Sequence, residues 1–190
     1  MDLTLKKMKK YCFYKIICFL LLIGSSFSCT SDLNFDQVND LKLTPVYEAN
    51  FSYFDVPAKS FVSDTGMEIP WAGDEYDFDV FRDKYLNSYL RKVDFYFEIN
   101  NTINRPFSLN IVLLDANNRA LTTIKKGVPA YSGTATIVTS TEIFENNRLE
   151  LLKKTVKMGF LITIGSGSAL NANSTGNLVL RSSATVYLEI

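Results

Sequence analysis

From about Pro45 onward, apolar and polar residues alternate with a period of two, the pattern of strands buried on one face. Arg91 to Asn100 shows it most clearly: Val93, Phe95, Phe97 and Ile99 fall on one side, and Lys92, Asp94, Tyr96, Glu98 and Asn100 on the other. Phe107, Leu109, Ile111 and Leu113 repeat the pattern. The run Asp115-Ala116-Asn117-Asn118-Arg119 then predicts a turn into a strand near Ala120 to Lys126, closing an antiparallel hairpin. Leu178 to Ile190 alternates again, and further strands are expected at Val46 to Val56, Tyr76 to Phe81, Tyr131 to Thr139 and Lys157 to Ile164. Pro45, Pro57, Pro70, Pro106 and Pro129 fall between these runs, where proline interrupts no ladder. Seven or eight strands in such a series predict an all-β fold, an antiparallel β-sandwich of immunoglobulin-like or similar type.

One stretch follows a different period. In Ile143 to Thr155, Leu149, Leu152 and Val156 recur at three- and four-residue spacing, with Lys153 and Lys154 near the end where cations suit the helix dipole. A single short helix over about 142–155 is expected, plugging one end of the sandwich.

The first 28 residues read as a signal peptide. Lys6, Lys7, Lys9, Lys10 and Lys15 precede the apolar run Ile16 to Ile23, and small residues lead to Cys29. The apolar stretch from Tyr11 to Ile23 is broken by Lys15 and falls short of the roughly 20 residues that span a bilayer. The segment Ser26-Phe27-Ser28-Cys29 resembles the lipobox of bacterial lipoproteins, in the looser form found in Bacteroidota. That resemblance implies that Cys29 becomes the acylated first residue of a chain held on a lipid bilayer, at the outer membrane of the cell envelope. Two or more acyl chains give stable attachment where one gives marginal binding. A simple secretory signal, with Cys29 left as a free thiol, is the competing reading.

Residues 29–44 are polar and acidic, with Asp32, Asp36 and Asp40, and read as a tether; residues 45–190 read as one domain. Removing 28 residues leaves 162, enough for one sizeable core. The other two cysteines, Cys12 and Cys18, leave with the signal, so the mature domain has no disulfide and its stability rests on packing. The signal also carries away five lysines and one aspartate, leaving 15 basic and 19 acidic residues and a net charge of −4. A mildly acidic domain without a basic stripe points away from nucleic acid.

The chain contains no histidine, which excludes Ser-His-Asp and Cys-His catalysis and imidazole-ligated metals. No cofactor is expected. Carboxylates concentrate in Asp74 to Asp83, where a strand would set Asp77 and Asp79 on one face. That pair could bear a hard cation such as calcium, or work as a glycosidase pair. A solvated strand face is the simpler reading, and no metal site or catalytic residue is assigned. Trp71 and exposed tyrosines could instead meet a sugar or a protein, each offering a flat apolar surface. Trp71 is expected in a loop.

The stretch from Lys92 to Ile190 is similar to small flavobacterial envelope lipoproteins without an established activity. A second resemblance, in Phe95 to Thr102 and the strand ending Leu114-Asp115-Ala116-Asn117, is to the sandwich of late-embryogenesis-abundant type 2 proteins. Neither resemblance implies catalytic residues. The expected function is a non-enzymatic binding or scaffolding module for an envelope protein partner. The alternatives are a glycan- or small-ligand-binding module beside an outer-membrane uptake system and, third, a carboxylate-dependent hydrolase.

Overall fold

The computed structural model describes residues 42–190, with Lys15 and Ile17 of the leader. Cys29, its proposed lipidation and the tether up to residue 41 lie outside the described residues. No helix among the described residues is long and apolar enough to cross a membrane.

Eight strands form two antiparallel four-stranded sheets. They are β1 (Val46–Pro57), β2 (Trp71–Asp77), β3 (Leu90–Asn101), β4 (Phe107–Leu114), β5 (Ala120–Val128), β6 (Thr136–Glu145), β7 (Lys157–Ile164) and β8 (Asn177–Leu188). One sheet has the order β1-β8-β3-β6, and the other β2-β7-β4-β5. Pairing joins β1 to β8, β2 to β7, β3 to β6 and β4 to β5, so the chain is one long hairpin rolled up on itself. That connectivity is the jelly roll. It gives the expected sandwich a strand order different from the immunoglobulin one.

Alternation explains the core. Val93, Phe95, Phe97 and Ile99 of β3 face Leu109, Ile111 and Leu113 of β4 across the layers, and each is at most 1% exposed. All five prolines flank or end strands as expected. Two strands differ from the sequence expectation in position. The second spans Trp71–Asp77, and Val80–Arg82 forms a 3-10 turn, so Asp77 ends a strand that Asp79 lies beyond. β6 begins at Thr136 and runs through Glu145, taking residues 142–145 from the expected helix.

The helix itself, α2, is Asn146–Lys154 and follows the six-residue α1, Lys84–Tyr89. Asn146 adopts φ 51, a left-handed conformation that asparagine tolerates, and this turns the chain from strand to helix within one residue. α2 buries Leu149 and Leu152, and Lys153 and Lys154 lie in its last turn.

Strand registers separate the two ends of the sandwich. Pro57 pairs with Asn177, Asn101 with Leu178 and Thr136, and Trp71 with Thr163. Loops 58–70, 102–106, 129–135 and 165–176 therefore share one end. The other end carries α1, α2, the hairpin turn 115–119 and the beginning of the domain at Lys42. At the four-loop end, Arg105 is 4% exposed. Its guanidinium donates to Glu68 at 2.8 Å and to the carbonyls of Gly165 and Ser168. The Glu68 carboxylate also accepts from the Leu170 amide at 2.6 Å. Asn101 ties in the remaining loop by donating to the carbonyls of Arg105 and Pro129. One buried polar knot thus holds all four loops.

Candidate functional site

The two sides of the sandwich are finished differently. On one side β5 and β6 are the sheet edges, and each turns a charged residue inward: Lys126, in line with Ile124 and Val128, and Glu142, in line with Phe144. These meet across the layers at 2.7 Å, and Arg148 from α2 reaches the other oxygen of Glu142 at 2.9 Å. Burial pushes the Glu142 carboxyl up, but hydrogen bonds from Lys126 and Arg148 outweigh it and hold the group below its ordinary pKa. Inward-facing charge is one way in which natural sheets protect an edge.

On the other side β1 and β2 are the edges, and no ion pair joins them among the described residues. A groove of about 520 Å³ lies between them. Its walls include Phe54 and Val56 of β1, Tyr76 of β2, Phe78, and Met158 and Phe160 of β7, with Asp74 and Asp77 on the β2 side. Ala72, Asp74 and Tyr76 face inward because they pair with the inward-facing Ile162, Phe160 and Met158. Tyr76 is 53% exposed and meets Phe160 edge-on at 6.2 Å between centroids. The Asp74 side chain, hydrogen-bonding to the phenol, raises the Tyr76 pKa.

β1 reaches the groove through a β-bulge at Phe51 and Ser52, where two residues oppose Ser182 of β8. Ser182 Oγ substitutes for the broken ladder, accepting from the Ser52 amide at 2.9 Å and donating to the Ser52 carbonyl at 2.8 Å. The extra residue reverses which side chains face inward: Tyr47 and Ala49 do so before it, Phe54 and Val56 after it. Phe51 enters the core at the crossover, its ring 4.6 Å from that of Phe95.

The residues singled out in the sequence are dispersed. Trp71 opens β2 instead of lying in a loop, and at 57% exposure it points from the face opposite the groove lining. Asp77 closes the same strand, and Asp79 stands just before the 3-10 turn, so the two do not share a strand face. The rest of that carboxylate run is engaged locally. Glu75 pairs with Lys157 at 3.0 Å, and Asp83 accepts from the amides of Tyr85 and Leu86 to cap α1. No group of three His, Cys, Asp or Glu side chains among the described residues is placed to hold a metal ion. The sequence marks Phe54 and Tyr76 as strand aromatics and Asp74 as the start of the carboxylate run, but it does not bring them together with Phe160 as one site. The one signal of a joint site was a carboxylate at an inward-facing position of a short strand.

No protein-family model matches the chain, and no curated protein matches it. Among solved structures, the infectious bursal disease virus VP2 subviral particle aligns at a TM-score of 0.45 and 9% identity, covering 76% of this chain and 32% of that one. A Parabacteroides distasonis protein provisionally described as secreted aligns at a TM-score of 0.42 and 15% identity, covering 61% of this chain and 37% of that one. Desmodium yellow mottle tymovirus aligns at a TM-score of 0.33 and 11% identity, covering 78% of this chain and 90% of that one. The chain therefore spans about a third of the length of the first two.

Proposed function

We propose that this chain is a lipid-anchored, non-enzymatic binding module of the bacterial cell envelope, tethered by acylated Cys29 and seating its ligand in the groove between β1 and β2. The signal-like leader ending in Cys29 supports the anchor. The observation that carries the binding role is the unclosed side of the sandwich: aromatic and aliphatic walls, a few polar groups and a volume of about 520 Å³ match the usual make-up of a binding cleft.

Two experiments test the halves separately. Globomycin or Cys29→Ser produces an unprocessed or soluble form; unchanged mass and membrane attachment under both would refute the anchor. For the groove, an apolar fluorescent dye binds the wild-type domain and loses affinity about tenfold or more in Phe54→Asp. Equal binding by both proteins would refute the groove.

A further inference from the structure

Resting on the groove reading above, we propose that its occupant is an extended, basic peptide segment of another protein, which adds as a fifth strand to the free edge of β2. β2 is guarded less than the other edges: its one inward charge, Asp74, forms no ion pair across the layers among the described residues. It contains no proline, lysine or bulge, and its register with β7 is unbroken over all seven residues. β1, by comparison, is interrupted at Phe51 and Ser52, and β5 and β6 are locked by Lys126 and Glu142.

The hydrogen-bond phase shows which backbone groups are free. Phe78 donates to the Val156 carbonyl and Ile164 to that of Pro70, so even-numbered positions of β2 direct their backbone toward β7. Trp71, Gly73, Glu75 and Asp77 direct theirs outward. The Glu75 amide is covered by the Asp74 carboxylate at 2.8 Å, but those of Trp71, Gly73 and Asp77 make no backbone bond. A strand placed there pairs with these groups and sends alternate side chains into the groove against Phe54, Tyr76 and Phe160, which is peptide recognition by β-augmentation.

Charge selects among the candidate occupants. On its outer face the edge carries Glu75 and Asp77, with Lys157 paired to Glu75, and Asp74 adds a further negative charge on the groove face. Two copies of β2 placed edge to edge would oppose carboxylate to carboxylate, which destabilises a strand pair. The chain's own tether brings Asp32, Asp36 and Asp40 and meets the same repulsion. A segment with lysine or arginine at alternate positions and apolar residues between them fits both the edge and the groove.

The test uses a labelled heptapeptide alternating lysine and valine, its glutamate-valine counterpart, and two N-methylated forms of the lysine peptide, each blocking one alternate set of amides. Fluorescence anisotropy at low salt is expected to show the lysine peptide binding about tenfold tighter than the glutamate peptide. One N-methyl set costs about tenfold or more and the other has little effect, because only one set faces β2. Glu75→Gln with Asp77→Asn weakens lysine-peptide binding about threefold to tenfold and flattens its salt dependence. Equal binding of the lysine and glutamate peptides, equal effects of the two N-methyl sets, or sedimentation showing β2-dependent self-association would overturn the proposal. If no peptide binds while the apolar dye remains sensitive to Phe54→Asp, strand addition fails and the groove stands. If the dye is insensitive as well, both fail.

Discussion

Arg105→Met removes the guanidinium that holds the four-loop end while keeping an unbranched stem in its place. The side chain of Arg105 is 5% exposed and that of Glu68 22%. The substitution deprives the Gly165 and Ser168 carbonyls of a donor, at about 1 kcal/mol each. It leaves the Glu68 carboxylate with the Leu170 amide alone. Because that carboxylate still touches water, the lost pairing adds only about 1 kcal/mol, below the full cost of breaking a buried ion pair. The expected destabilisation is about 3 kcal/mol. For a domain of this size that lowers Tm by roughly 6–12 °C, measured by circular dichroism and by urea unfolding with an unchanged m-value. Hydrogen exchange should speed up first in 165–176 and 58–70. Arg105→Met with Glu68→Leu removes both charges but still leaves the two carbonyls, and now the Leu170 amide, without their partners, so it should be about as unstable as the single variant and clearly less so than the two singles added. A Tm change below about 3 °C in the single variant, or a double variant as unstable as the two singles added, would refute the reasoning.

Other outcomes follow from the same geometry. Ser182→Ala leaves the Ser52 amide and carbonyl without the hydroxyl that bridges the bulge, and should cost about 1–2 kcal/mol in urea unfolding. Gly176 sits at φ +97 with its Cβ position overlapping the Thr102 carbonyl, so Gly176→Ala should cost about 2–4 kcal/mol, read as a fall in Tm. Glu142 has a lowered pKa in the folded protein, so its contribution is present above the unfolded value of about 4.3 and is lost as pH falls through the folded one. Acid titration of Tm below that value should therefore be shallower in Glu142→Gln; an unchanged slope would show that the pair with Lys126 adds nothing.

The parts of the fold legible in the sequence were those in which one strand face is purely apolar. β3 declares itself through Val93, Phe95, Phe97 and Ile99, β4 and β7 do the same, and β8 does so with Ser182 as its one polar inward residue. β6 is displaced because its inward positions between Val138 and Phe144 are the polar Ser140 and Glu142, the latter paired with Lys126 elsewhere in the chain. Alternation cannot be recognised where an inward residue is an ion whose partner is 16 residues away. β1 hid its bulge for a related reason: Phe51, Tyr53 and Phe54 satisfy either parity, and only Ser182, 130 residues on, decides it. Trp71 and the carboxylates after it were visible as chemistry but not as geometry, since the start of β2 rests on pairing with β7. The groove is the space that two sheet edges leave unclosed, and it has no linear motif.

The rolled-hairpin connectivity also sets the order in which the domain can assemble. β8 lies between β1 and β3, so the first strand of the domain has no hydrogen-bonded neighbour until the last one arrives. Contacts of such long sequence separation make folding slow, because loop closure precedes any reward from pairing. A nascent or exported chain thus stays open until β8 has been delivered, and throughout that interval the aromatic strand β1 is exposed. Control over when this protein folds rests with Asn177 to Leu188, the strand on which β1 and its bulge depend.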